Sequence, residues 1–115
     1  MKTINRAVIV LKPKAPFVDW VNRTEDGDLT FTLDEVRRDC TAYLIPEVAG
    51  DRDLEQFLRR NYSFLFECEL ASCLQDETRW PKKRDFNAFL AWFEVEFHSL
   101  IIDLVGDELP LEETE

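Results

Sequence analysis

Glu94-Val95-Glu96-Phe97-His98 alternates polar and apolar residues without a break, whereas Phe86, Phe89, Leu90 and Phe93 just before it recur at i, i+3, i+4 and i+7. The earlier spacing puts four large apolar groups on one side of a helix, and the later one divides polar from apolar across a strand. A helix is therefore expected from a cap at Asp85, followed by a strand from Glu94 through Ile101 and Ile102 to Leu104. This change of period sets an α/β chain apart from an all-helical one. If the register holds, Val95, Phe97 and Ile101 face the helices, and the strand lies at the centre of the sheet or is well paired in it.

Working towards the N-terminus, Gln75 to Arg84 reads as a loop carrying Trp80-Pro81 and the basic run Lys82-Lys83-Arg84. Before it, Leu54, Phe57, Leu58, Tyr62, Leu65 and Cys68 hold helical spacing in a long helix opened by Gly50-Asp51-Arg52-Asp53, with an Asp as its cap. Phe64, Phe66 and Leu70 widen the apolar arc, so this helix is expected to be covered on more than one side. Cys40 to Val48, centred on Tyr43-Leu44-Ile45, reads as a strand that lies at an edge or stops at Pro46, because proline cannot donate to the ladder. Thr32-Leu33-Asp34-Glu35 is a capping box that starts a short helix. Asn22 to Asp28 is a loop, and Pro16 opens a helix through Phe17, Val18, Trp20 and Val21. Ile4 to Lys12, rich in aliphatic residues and stopped by Pro13, is the first strand.

The expected fold is thus α/β, a three-stranded sheet packed against helices in the order β-α-α-β-α-α-β. With 115 residues, nine Phe and three Trp, residues 1–106 suffice for one domain with an aromatic core. Residues 107–115 read as a frayed acidic tail.

Charge is unevenly spread. Residues 1–84 carry all 14 basic residues against 15 acidic ones, while residues 85–115 carry nine acidic residues and no Lys or Arg. The net charge of −10 argues against nucleic-acid backbone as a partner. The apolar stretch from Ala7 to Leu11 is too short for a signal-peptide core, and nothing approaches the roughly 20 apolar residues of a membrane span, so no membrane partner is expected. Three cysteines, Cys40, Cys68 and Cys73, with no C-x-x-C pair, point to a reducing, cytoplasmic compartment and not to a disulfide framework. Cys68 reads as a small buried hydrophobe.

Several stretches together resemble a family of small, uncharacterised bacterial proteins of about this length with no assigned function. They are Asn5-Arg6, Pro13-Lys14-Ala15-Pro16-Phe17 leading to Asp19-Trp20, Tyr43-Leu44 followed by Pro46-Glu47, Trp80-Pro81, Phe89 through Trp92-Phe93, and Val95-Glu96 with His98-Ser99. The resemblance covers nearly the whole chain except the tail. It implies a bacterial cytosolic protein and carries over no activity, substrate, partner or functional residue.

Glu94, Glu96 and His98 are the main candidates for chemistry. On a strand they share one face, successive side chains roughly 6–7 Å apart. Two carboxylates and an imidazole are ligand types for Zn, Mn or Fe, yet the chain has a single His and a mononuclear site usually draws on several elements. The plainer reading is a solvated polar face without metal. If the first and last strands are neighbours, Arg6 can pair with Glu94 or Glu96, and Tyr43 can approach His98 to form an anion-binding or acid–base cluster. Ser99 points away from His98 on a strand, Cys40 or Cys73 with His98 has no local pattern behind it, and no glycine-rich phosphate loop exists. No cofactor is expected. The basic run from Arg79 to Arg84 is a solvated loop or a clasp on the acidic final quarter.

The leading expectation is therefore a non-catalytic domain that binds another protein, a basic one among the candidates, through an acidic or exposed sheet surface. The rival is a small metal-dependent or acid–base enzyme centred on Glu96 and His98. A third is a homodimer closed through the sheet, since Leu100 and Ile102 share the face of Glu96 and His98.

Overall fold

Ala7–Pro13 is the strand about which the rest of the chain is arranged: Ala7, Ile9, Leu11 and Pro13 are buried while Val8, Val10 and Lys12 are only half-buried. The computed structural model describes residues 1–24 and 30–105. In chain order these form β1 (Lys2–Ile4), β2 (Ala7–Pro13), α1 (Ala15–Thr24), α2 (Leu33–Val36), β3 (Ala42–Ile45), α3 (Asp51–Cys73), a 3-10 turn (Glu77–Arg79), α4 (Phe86–Trp92), β4 (Phe93–His98) and β5 (Ile101–Asp103). The chain is mixed α/β, with four α-helices and two small sheets. The larger sheet has the order β3-β2-β4, and the smaller pairs β1 with β5. All pairings are antiparallel.

Both long strands expected at the chain ends are divided. Ile4 pairs with Ile101 and Val8 with His98, so Asn5, Arg6 and Ala7 stand against only Ser99 and Leu100. One extra residue on the N-terminal side is the count of a β-bulge, which breaks the ladder and resets the alternation. The strand read from Ile4 to Lys12 thus becomes β1 and β2, and the one from Glu94 to Leu104 becomes β4 and β5. Ile101 pairs with Ile4 in the small sheet and lies outside the core, contrary to the expectation that it faces the helices. β4 is not central, since β2 holds the middle, but it is well paired, all six of its residues standing in register with β2. β3 is shorter than read, four residues ending just before Pro46, at the other edge.

Helix starts follow local chemistry. Thr32 Oγ1 accepts from the Glu35 N–H, and Glu35 reaches back to the Thr32 N–H, the reciprocal pair of a capping box. Asp85 Oδ1 accepts from the Ala88 N–H at 2.8 Å and caps α4. α3 departs from expectation, because its N-cap is Gly50, which has no side chain to offer. Gly50 takes φ of 153°, backbone that only glycine adopts without strain, and Asp53 instead accepts from the Ala49 N–H at 2.8 Å.

Phe66, Phe89, Phe93, Ile9, Leu11 and Leu70 are the largest fully buried side chains and bind α3, α4 and the inner sheet face into one core. Phe93 has Phe17 at 5.3 Å and Phe66 at 5.5 Å between ring centroids, within the range where tilted rings attract. The two buried indoles keep their N–H groups satisfied: Trp20 donates to Arg79 O at 3.0 Å and Trp80 to Leu74 O at 2.7 Å. Together they fasten the segment after α3 beside α1. One residue of α3 escapes: Phe64 is 66% exposed, so the helix is not covered on the side this residue occupies. Cys68 is half-buried, and the three cysteines form no disulfide. The expected acidic tail lies outside the described residues, as does most of the loop read from Asn22 to Asp28; α1 itself runs on to Thr24.

Candidate functional site

Because side chains alternate along a strand, the helices claim one face of the β3-β2-β4 sheet and leave the other open. The open face is read off the register as three rows. Leu44, Val8 and His98 form one, Ala42, Val10 and Glu96 the next, and Lys12 with Glu94 the last. None of these eight residues is buried. Glu94, Glu96 and His98 do share this face, as their spacing required.

Their partners are not the expected ones. Lys12 Nζ lies 2.8 Å from Glu96 Oε1, a diagonal contact, since Lys12 stands directly opposite Glu94. Glu96 Oε2 lies 2.9 Å from His98 Nε2. Glu94 turns instead to Arg37, just past α2, at 2.8 Å; the same guanidinium donates to Pro13 O. Arg6 touches neither glutamate and donates to its neighbour Asn5. Tyr43 pairs with Ile9, which pairs with Phe97, so it sits on the helix-covered face, opposite to His98. The Arg–Glu–His–Tyr cluster is therefore not assembled.

Hydrogen bonds from Lys12 and then His98 hold the Glu96 carboxyl down at about 2, and the bond from Arg37 keeps Glu94 below its ordinary value. The Glu96 hydrogen bond in turn raises Lys12. A carboxylate this firmly ionised neither gives nor takes a proton readily near neutral pH, where acid–base work demands a matched pKa. Among the described residues no three His, Cys, Asp or Glu side chains are placed to hold a metal ion. The basic run is also engaged locally: Arg84 donates to Pro81 O and lies over the Trp80 ring.

A second constellation lies on the covered side. Glu69, on α3, is 6% exposed, the one polar or charged residue among the described residues to be buried. The Tyr43 hydroxyl, from β3, donates to its Oε2. Burial raises the Glu69 carboxyl above its ordinary value, opposed by the Tyr43 hydrogen bond. Tyr43 is pushed well up by its own burial and then by the carboxylate. Glu69 lines a cleft of about 160 Å³ with Leu11, Phe17, Val36, Cys40 and Ser72. The cleft continues past Phe17, Val36 and Ser72 into a second compartment of about 340 Å³, reaching Val21 and Phe31. Burial raises the Cys40 thiol too, which makes it a poor nucleophile.

The reading of the sequence missed Glu69. The available signal was periodic: Glu69 follows Leu65 by four residues and Phe66 by three, which places it on the buried stripe of α3.

No family model, no curated protein and no solved structure matches the chain.

Proposed function

We propose that this chain is a non-catalytic protein-binding domain that recognises its partner with the open face of the β3-β2-β4 sheet. One observation carries this reading. Leu44 stands 55% exposed in a row with Val8 on a face where no residue is buried, while Ala7, Ile9, Leu11, Ile45 and Phe93 on the opposite face are buried. The apolar side chains Leu44, Val8, Val10 and Ala42 occupy one part of the face, and Lys12, Glu94, Glu96, Arg37 and His98 border it. An apolar patch bordered by charged residues is the anatomy of a protein interface. Because Glu94 and Glu96 are already paired with cations, the face is not a bare acidic patch. The partner this fits is a protein with an apolar patch of its own, its polar groups meeting the rim, and not simply a basic protein.

Leu44→Arg places a charge within the apolar part of that face without touching the core. Phe64→Arg places a charge at another exposed apolar side chain, on α3 and away from that face. Quantitative capture from source cells with wild type and both variants should find a protein retained by Phe64→Arg and lost by Leu44→Arg. A partner set unchanged by Leu44→Arg would refute the proposal. If the partner is a second copy, sedimentation equilibrium of the purified chain shows self-association that Leu44→Arg removes.

A further inference from the structure

The cleft over Glu69 is independent of the open sheet face and has a chemistry of its own. Tyr43 takes Oε2 of the carboxylate, and Oε1 accepts no hydrogen bond from the described residues. No buried side-chain oxygen or nitrogen among those residues lacks a partner, so Oε1 is reached from the cleft that Glu69 lines. A carboxylate held out of bulk water attracts an opposite charge more strongly than one at the surface, and the desolvation of that charge offsets part of the gain. The walls beyond it are Leu11, Phe17 and Val36, and then Val21 and Phe31. The other ionisable carboxyls on the lining are Asp39 and Glu35, and no Lys, Arg or His lines either compartment. The larger compartment reaches the lower end of the roughly 300–1,000 Å³ typical of small-molecule sites.

We propose that this cleft binds a small organic ammonium ion, its cationic head on Glu69 Oε1 and its apolar body against Phe17, Val36 and Phe31. A metal ion is a worse fit, since among the described residues no three ligand side chains converge there. An anion would meet carboxylates and no Lys, Arg or His. A primary ammonium has three N–H donors: Glu69 Oε1 can take one, and Asp39, Thr41 and Ser72 on the same lining carry oxygens for the others.

Isothermal titration of the full chain with three molecules of nearly one shape tests this: 2-phenylethylammonium, 2-phenylethanol and 3-phenylpropionate. The ammonium should bind at one site per chain and about tenfold or more tighter than the alcohol, the margin of a charge-assisted hydrogen bond. The carboxylate should not bind. Glu69→Gln should abolish the preference for ammonium over alcohol while leaving alcohol affinity within about twofold. Ser72→Trp, at an exposed rim position that lines both compartments, should block all binding without entering the core, and keeps the test valid if Glu69→Gln folds poorly. Equal affinity for ammonium and alcohol would overturn the proposal. So would ammonium binding that survives Ser72→Trp or keeps its preference in a folded Glu69→Gln protein, because the acidic surface and not the cleft would then be the site.

Discussion

Glu69 and Glu96 are the same side chain in opposite surroundings, and their effects on stability run in opposite directions with pH. The folded state raises Glu69, so its contribution is greatest below the ordinary glutamate range and is lost as pH rises through the raised value. It depresses Glu96 to about 2, so that contribution is present above the ordinary value and disappears as pH falls towards 2. Glu69→Gln retains an oxygen for the Tyr43 hydroxyl and removes a buried charge. Urea unfolding at pH 5 and pH 7 should show the variant at least as stable as wild type at pH 7. The stability that wild type gains on going from pH 7 to pH 5 should be smaller in the variant. A variant markedly weaker than wild type at pH 7 would mean that the ionised pair stabilises the fold. Tyr43→Phe strips the carboxylate of its donor and should cost about 1–3 kcal/mol at pH 7, measured in the same way.

At the scale of elements, the features that could be read in advance are those fixed within a few residues. Thr32 with Glu35, Asp85 with Ala88, and the stop at Pro46 each depend on chemistry inside one turn. The alternation from Glu94 to His98 likewise put three polar groups on one face before any partner was known. What escaped depends on how distant segments meet. The bulge at Asn5–Ala7 exists only because that segment faces Ser99 and Leu100, and nothing in either stretch announces it. The choice of Lys12 and Arg37 over Arg6 follows from register and from where α2 ends. Tyr43, expected beside His98, instead meets Glu69 across 26 residues, and Glu69 was unremarked in its own helix. Two measurements probe this level. Asp85→Ala removes the acceptor for the Ala88 N–H and should cost about 1 kcal/mol in denaturant unfolding, whereas Asp85→Asn should cost much less. Amide hydrogen exchange should be slowest at Ile9 and Leu11 in β2, fully buried and bonded on both sides, and fastest among the strands in β1 and β5. Equal protection in the two sheets would show that the bulge does not separate them.

Across the whole molecule, one sheet presents two surfaces of different character. Its inner face is closed by an aromatic core, while its outer face grades from Leu44 and Val8 to a border of ion-paired charges. The uneven charge along the chain does not carry over simply into space. Two of the acids in the final quarter, Glu94 and Glu96, are met by Arg37 and Lys12 from the part of the chain that holds every basic residue. Charge steering by this face is thereby weakened, and the burden of recognition falls on its apolar rows. Among the described residues no helix is long and apolar enough to cross a membrane, so the exposed Leu44 is not explained by a membrane-spanning helix. The claim that the outer face is a recognition surface is tested most directly by the dissociation constant of the captured partner. That constant, measured by titration calorimetry at fixed salt, is compared across wild type, Leu44→Arg and Phe64→Arg, each confirmed folded by circular dichroism. The account predicts weakening of tenfold or more for Leu44→Arg, the order of about 1.4 kcal/mol, and a change within about twofold for Phe64→Arg. The reverse ranking, or an affinity untouched by Leu44→Arg, would contradict it.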